Sequence, residues 1–514
     1  MPRSETPLQS LTAGTSWLVA GKTIAFAFTI AIPMLLVRRM PQHEFGLYKQ
    51  IFLVINSAVT LVPLGFGMTA FYFLPRDEAR RAHVVFNIVL FMTVVSATFA
   101  SAIVVWPHVL VVLFKEPAAA AFAPWIAAVI VLLVVGSFLE IVIVANREVR
   151  LATMTILAVQ IIRAAILLAA LTISPTIQSI LVASVMLGLL QVGVLHTYLS
   201  SRFPQYWRAF DWRFLRQQVA YALPFSAAGV LFSLQRDLHS YFVSNRFGPA
   251  AYAVYSIGCF QLPLFGILAE SVGSMMILRF SALQRDGQTR EMILLGARAM
   301  RKLAMVYFPA YAFLMVMRRD FITALFTDRY LASVPIFAWN LTLIPIGIFV
   351  LDPLFRAFSA HRYFPMKLHG ALLVCFAVGL PVAVGRFGLL GAIGIVVVLT
   401  LAALVASVTK AAAILDVRMS DVALLSDVGK IAAAAAMAGI GTELLRGWIV
   451  PLKPAAALAA AGPWFVAVYT LATILLGIFT ADERAFAVSS VRVVAARAAR
   501  LRPRKPRALV TLQD

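Results

Sequence analysis

The chain has 514 residues, 62% of them hydrophobic and only 13% charged, with a mean hydropathy of +0.91. That much apolar surface exceeds what a water-soluble core needs and marks a polytopic membrane protein. The formal charge of +22 raises nucleic acid as a partner, but the basic residues are placed as membrane topology signals instead.

Apolar stretches able to cross about 30 Å of hydrocarbon as helix recur along the whole length. About fourteen spans are predicted, near 13–37, 46–72, 83–105, 121–145, 152–173, 177–199, 219–243, 252–278, 298–317, 334–355, 366–385, 388–409, 429–448 and 456–479. Strand alternation and Gly-Asn turn signals are scarce, which excludes a β-barrel and leaves an all-α fold. The first span lacks a small-residue cleavage site and reads as a retained helix. It carries Thr15, Lys22 and Thr29 on one face. In the second, Lys49, Asn56, Thr60 and Pro63 share a face, and in the fifth Gln160 and Arg163 lie one turn apart. The seventh aligns Ser226, Ser233, Asp237, Ser240 and Ser244 over almost five turns. Such stripes either glue helices together or wall a hydrated cavity; for the seventh span we expect a cavity.

An Arg, Lys or Asp at the centre of a span costs about 2.5–3.5 kcal/mol, so intramembrane charges need a reason. Lys22, Arg163 and Arg236 are the deep cations, and Glu140, Asp237, Glu270 and Asp352 the acids at comparable depth. Arg236 and Asp237 are neighbours pointing about 100° apart, so each is expected to find its partner elsewhere. The cations either pair with these acids as structural ion pairs or await an anionic substrate. In the second case the acids handle a coupling ion, a proton or sodium, or hold the cations ready. Arg grips phosphate well because its planar fork donates bidentately and keeps its charge when desolvated. His196 and His239 share no spacing with other metal ligands and read as satisfied structural histidines. The only cysteines, Cys259 and Cys375, form no metal or disulfide pattern. Pro33, Pro63, Pro224, Pro263, Pro309 and Pro345 predict bent spans. No phosphate-binding glycine loop occurs: Gly388, Gly391 and Gly394 lie in an apolar span and predict close helix packing.

The chain repeats itself at an offset of about 210 residues, the mark of a duplication. Arg39, Phe45 and Tyr48 recur as Arg246, Tyr252 and Tyr255, Arg76-Asp77 as Arg285-Asp286, and Leu113-Phe114 as Leu325-Phe326. Glu140, Arg150 and Met154 recur as Asp352, Arg362 and Met366. The organisation expected is a first six-helix lobe with its joining segment (1–213), a second lobe (214–425), two additional spans (426–482) and a basic tail (483–514). Six spans separate equivalent elements, so both lobes cross in the same sense, with the substrate path between them. The joint at 200–218, rich in Arg and Trp, suits a helix lying at the interface. Small residues at 432–436 and 455–457 permit close packing of the last two spans. The Arg- and Pro-rich tail reads as disordered on the lipid surface. With both termini inside, cytoplasmic loops and tail carry roughly thirty Lys and Arg against about eleven outside, which obeys the positive-inside rule. The longest outer loop, near 318–333, leaves no room for an extramembrane catalytic domain.

Arg39-Met-Pro-Gln-His-Glu-Phe-Gly-Leu-Tyr48, followed by Leu64-Gly-Phe-Gly67, resembles the first hairpin of bacterial polysaccharide flippases. The second lobe opens similarly, with Pro224, Asp237, Phe247-Gly248 and Ala253-Val-Tyr255, where Ala253 departs from the usual Gly. The resemblance, over roughly residues 10–420, is to Wzx-type lipid-linked oligosaccharide exporters, in the superfamily that also holds multidrug exporters and the lipid II flippase. It implies two six-helix lobes in a V and a cationic central cavity in a multi-pass protein of the bacterial inner membrane. It implies, as substrate, an undecaprenyl-pyrophosphate-linked repeat unit turned from the cytoplasmic to the outer leaflet for O-antigen, capsule or exopolysaccharide synthesis. A polymerase and a chain-length regulator would be its partners. Matched to that picture, Lys22, Arg163 and Arg236 would contact pyrophosphate or acidic sugars, and Asp237 falls at an acidic position of the family's seventh span. The runner-up is an ion-coupled multidrug exporter, which an acidic cavity with few cations would favour. A membrane polymerase or ligase would need a long outer loop with catalytic Arg or His. No enzymatic activity is expected.

Overall fold

The computed structural model describes residues 31–478, apart from 77, 362, 450 and 451. Lys22, most of the first span and the tail after 482 lie outside the described residues. Within them the fold is all-α. The main helices are α1 (Gln42–Leu61), α2 (Arg81–Val105), α3 (Ala123–Gly136), α4 (Val149–Ile173), α5 (Ile177–Arg202) and α6 (Trp212–Gly258). They continue as α7 (Pro263–Arg285), α8 (Thr289–Val316), α9 (Arg318–Phe326), α10 (Val334–Leu341), α11 (Phe364–Leu415), α12 (Ser426–Ile449) and α13 (Pro454–Leu475).

Ten helices among the described residues are long and apolar enough to cross a membrane. They include α11, in which two expected spans run on from each other. Gly388, at φ +57°, turns the chain between them, and Gly391 lets the returning arm close. A Cβ at Gly391 would stand 2.0 Å from the Ala383 carbonyl oxygen. Gly248, at φ +76°, breaks α6 in the same way, ending the seventh span and starting the eighth. The tenth span is interrupted, as α10, Leu343–Ile346 and Asp352–Ala357. Its repeat counterpart also breaks, at Ser137 between α3 and Phe138–Ala145. Glu140 and Asp352 both sit in the first turn after the break, where a helix N-terminus favours negative charge.

Two expectations are corrected. The joint is not one interfacial helix: α5 ends at Arg202, a single 3-10 turn follows at Tyr206–Arg208, and α6 starts afresh. Asp211 caps that start by accepting the Phe214 N–H at 3.0 Å, a stop-and-start favoured by an acidic N-cap. The presumed outer loop at 318–333 is ordered as α9 and the 3-10 segment Asp328–Ser333, because Ile322, Phe326 and Tyr330 are each buried.

Helices α12 and α13 pack against α8. Ala434, Ala435, Ala438, Ala457 and Ala461 are buried there, small enough for backbones to approach. Ion pairs fasten α12 near both ends: Arg301 to Asp427 at 3.1 Å and Arg446 to Asp320 at 3.5 Å.

Candidate functional site: the cleft between the halves

The two halves meet through near-equivalent pieces of the repeat, which seal one end of the molecule. The Gln42 amide donates to the Ala250 carbonyl at 3.1 Å, and Arg38 to the Ala324 carbonyl at 2.6 Å. Gln50 donates to the Ser244 carbonyl at 3.3 Å and Asn245 to the Val112 carbonyl at 2.6 Å. Phe45 meets Tyr330 edge-on. Gly46 is the closest approach: a Cβ there would lie 1.9 Å from the Pro249 carbonyl oxygen. These bonds use backbone carbonyls as acceptors, so they set shape more than they read side chains.

Toward the other end α1 and α6 part around a cavity of about 400 Å³. Thr60, Leu64, Met68 and Thr69 line one wall, and Tyr221, Gly229, Phe232 and Ser233 the other. Leu64 and Gly65, at φ +48° and +61°, turn the first wall away just past Pro63. Gly229 faces open space. Beyond the cavity α6 rejoins the first half: Tyr221 stacks on Tyr72 at 4.4 Å, and Asn87 donates to Gln218 at 3.1 Å. The roof, one turn beyond Thr60 and Ser233, is polar, with the Ser57 hydroxyl donating to Asp237 at 3.3 Å.

That roof corrects the reading of Arg236. Its guanidinium curls back onto its own neighbour, Nε to Asp237 Oδ1 at 3.0 Å and Nη2 to Oδ2 at 3.3 Å. The Cβ atoms do diverge, but the Arg arm is long enough to cover the angle. The polar stripe of α6 is likewise divided. Ser233 borders the cavity, whereas Ser244 is fully buried in the sealed end.

Arg163 lies midway along α4, half-buried, without an ion pair among the described residues, and within electrostatic reach of the Tyr48 hydroxyl. Lys49, one residue on, stands 5.6 Å from the Phe45 ring centroid, also without a carboxylate among the described residues. Sequence reading placed Lys49 on a polar stripe but not among the site cations; its place on the face shared with Asn56 and Thr60 was the available signal. Glu140 and Glu270 are exposed and bridge to no described cation, while Asp352 pairs with Arg356 at 2.6 Å. His196 and His239 each bond a tyrosine hydroxyl, of Tyr206 at 2.9 Å and Tyr255 at 2.7 Å. A third histidine, His369 on α11, bonds Gln235 of α6 at 2.8 Å; no sequence spacing pointed to it.

Two helical halves, closed on each other at one end and hollow between them toward the other, with ten described helices able to cross a membrane, define a multi-pass protein with a transporter fold. The fold is similar to the lipid II flippase MurJ in an inward closed conformation, with a TM-score of 0.69 at 11% identity over 89% of this chain and 98% of that one. It is also similar to the inward-facing conformation of a multidrug resistance MATE family transporter of the MOP superfamily (TM-score 0.63, 13% identity, 78% and 96% covered). An outward-facing conformation of a transporter so described gives 0.54 at 14% identity, with 80% and 95% covered. No curated protein matches the sequence. A family model described as "Polysaccharide biosynthesis protein" matches residues 35–335. The chain belongs to that family of polysaccharide biosynthesis proteins.

Proposed function

We propose that this protein moves an undecaprenyl-pyrophosphate-linked oligosaccharide unit from the cytoplasmic to the outer leaflet of the inner membrane by alternating access. The carrying observation is Arg163, an intramembrane cation left without a carboxylate among the described residues in a family that serves polysaccharide synthesis. A cationic drug would be repelled by Arg163 and Lys49, whereas a pyrophosphate is drawn to both. In this reading both termini are cytoplasmic by the positive-inside rule, so the sealed end faces outward and the cavity inward. The better superposition on an inward-facing than on an outward-facing relative supports that assignment. With the cytoplasm negative, each anionic charge moved outward gains about 2.3 kcal/mol per 100 mV. A proton or sodium ion returning inward then resets the carrier, and a polymerase with its chain-length regulator receives the unit. Cells lacking the protein are expected to accumulate one lipid-linked oligosaccharide, detected by mass spectrometry of the lipid extract. Absence of any such intermediate, with drug sensitivity in its place, overturns the reading in favour of a multidrug exporter.

A further inference from the structure

Apart from the cleft, a groove of about 480 Å³ opens in the first half between α4 and the second part of α5. Its lining is ordered along α5. Leu190, Gly193 and Val194 form the deep end, and Thr197, Tyr198 and Ser201 follow toward the helix end at Arg202. From α4, Leu151 and Thr155 complete the walls. Leu151, Leu190 and Val194 are exposed on helices able to cross a membrane, so the groove opens toward lipid. Gly193 keeps it open: a Cβ there would meet nothing within 4 Å. Residues 190 to 201 cover about 16 Å of helix at ~1.5 Å per residue. That is about half of a 30 Å hydrocarbon core, the depth of one leaflet.

Charged groups lie beyond the hydroxyls. Asn146 donates to the Tyr198 hydroxyl at 3.0 Å and to Glu148 at 2.8 Å, and Glu148 pairs with Arg202 at 3.0 Å. That acid is therefore engaged. Arg147 in the same turn and Arg150 at the start of α4 are exposed and without an ion pair among the described residues, which leaves the mouth positive. Thr197 and Ser201 spend their O–H groups on the Gly193 and Tyr198 carbonyls. The Thr155 hydroxyl has no partner among the described residues and can donate into the groove.

Apolar wall, then hydroxyls, then positive charge is the order in which a phospholipid presents its chain, its glycerol esters and its phosphate. We propose that this groove binds one anionic phospholipid, with an acyl chain lying past Gly193 and the Thr155 hydroxyl donating to an ester oxygen. The headgroup then sits within reach of Arg147 and Arg150. A zwitterionic headgroup carries its own ammonium and answers that positive charge less well. The occupant also supplies packing where the protein does not. Of the ten long apolar helices described, α4 and α7 are the least buried, and α4 is the helix that carries Arg163.

Native mass spectrometry of the full chain in detergent tests this, with palmitoyl-oleoyl phosphatidylglycerol and phosphatidylcholine as probes at equal concentration. The wild type should retain one phosphatidylglycerol about fivefold or more over one phosphatidylcholine. Gly193→Leu, whose Cβ has open space, fills the groove. It should lower phosphatidylglycerol binding about fivefold or more while the melting temperature in lipid-free detergent holds. Arg147→Gln combined with Arg150→Gln should remove the preference and leave phosphatidylcholine binding unchanged, because the chain site is intact. Those two positions are exposed, so this variant reads the headgroup site even if Gly193→Leu fails to fold. Equal retention of both lipids by the wild type means annular lipid only and overturns the proposal. Undiminished binding in a folded Gly193→Leu, or an undiminished preference in the double Arg variant, overturns it as well.

Discussion

Arg163 shows how much a single residue can ask of its surroundings. A guanidinium midway along a span is expensive unless something pairs with it, and no described carboxylate does. Arg163→Ala is therefore expected to leave the protein folded and inserted, since no ion pair among the described residues is broken, while export falls at least about tenfold. Arg163→Lys should restore it only partly, because a point charge replaces a bidentate fork. Quantifying surface polysaccharide against membrane-inserted protein checks both; normal export in Arg163→Ala would remove the residue from substrate handling. Asp237 should behave differently. It holds Arg236 and Ser57 together, so Asp237→Ala leaves a cation uncompensated and should lower stability as well as export, read by the melting temperature in detergent.

At the scale of elements, the sealed end depends on the missing side chain at Gly46. Gly46→Ala places a methyl group against the Pro249 carbonyl backbone, and such overpacking costs about 1–3 kcal/mol in this conformation. The carrier should shift toward the form open at that end by about tenfold, measured as faster labelling of a cysteine at Ala250. Unchanged labelling would mean that the contact yields without opening. The caps of α6 and of the 3-10 turn before α12 give a pH dependence. Hydrogen bonds from the Phe214 and Arg213 backbone hold the Asp211 carboxyl below its usual range, and the Arg290 guanidinium with the Arg418 N–H does the same for Asp421. A depressed folded-state value gives stability that is present above the unfolded value and lost as pH falls through the folded one. Protection from hydrogen exchange at 211–215 and 418–425, taken relative to the intrinsic rate at each pH, should therefore fall below about pH 4 and be flat above it. Much of this level was legible from local pattern: the spans and the alanine-lined packing of α12 and α13 follow from it. The turns at Gly248 and Gly388 were not, since the apolar setting of Gly388 suggests helix packing whereas its φ of +57° reverses the chain. The ordering of 318–333 was not, because the burial of Tyr330 is a tertiary event that polar spacing conceals. The Arg236–Asp237 pair was hidden for another reason, since helical-wheel angles track Cβ directions and not the reach of a long arm.

For the whole molecule, the repeat explains why the halves close on each other where they do. Near-equivalent pieces, 38–50 with 112 and 244–254 with 324–330, supply the seal, so the repeated part of the sequence builds the scaffold. The charges do not follow that symmetry: Arg163 falls opposite Cys375 at the local offset. Scaffold and charges are thus written by different residues: the repeat and the depth of Arg163 could be read from the sequence, while the Arg236–Asp237 pairing emerged only with the geometry. The central claim is that an anionic lipid-linked glycan crosses between these halves. Mass spectrometry of lipid-linked intermediates, in cells carrying no copy, the wild type or Arg163→Ala, tests it most directly. One pyrophosphate-linked oligosaccharide should accumulate without the protein, disappear with the wild type and persist with Arg163→Ala; equal lipid profiles in all three would contradict the claim.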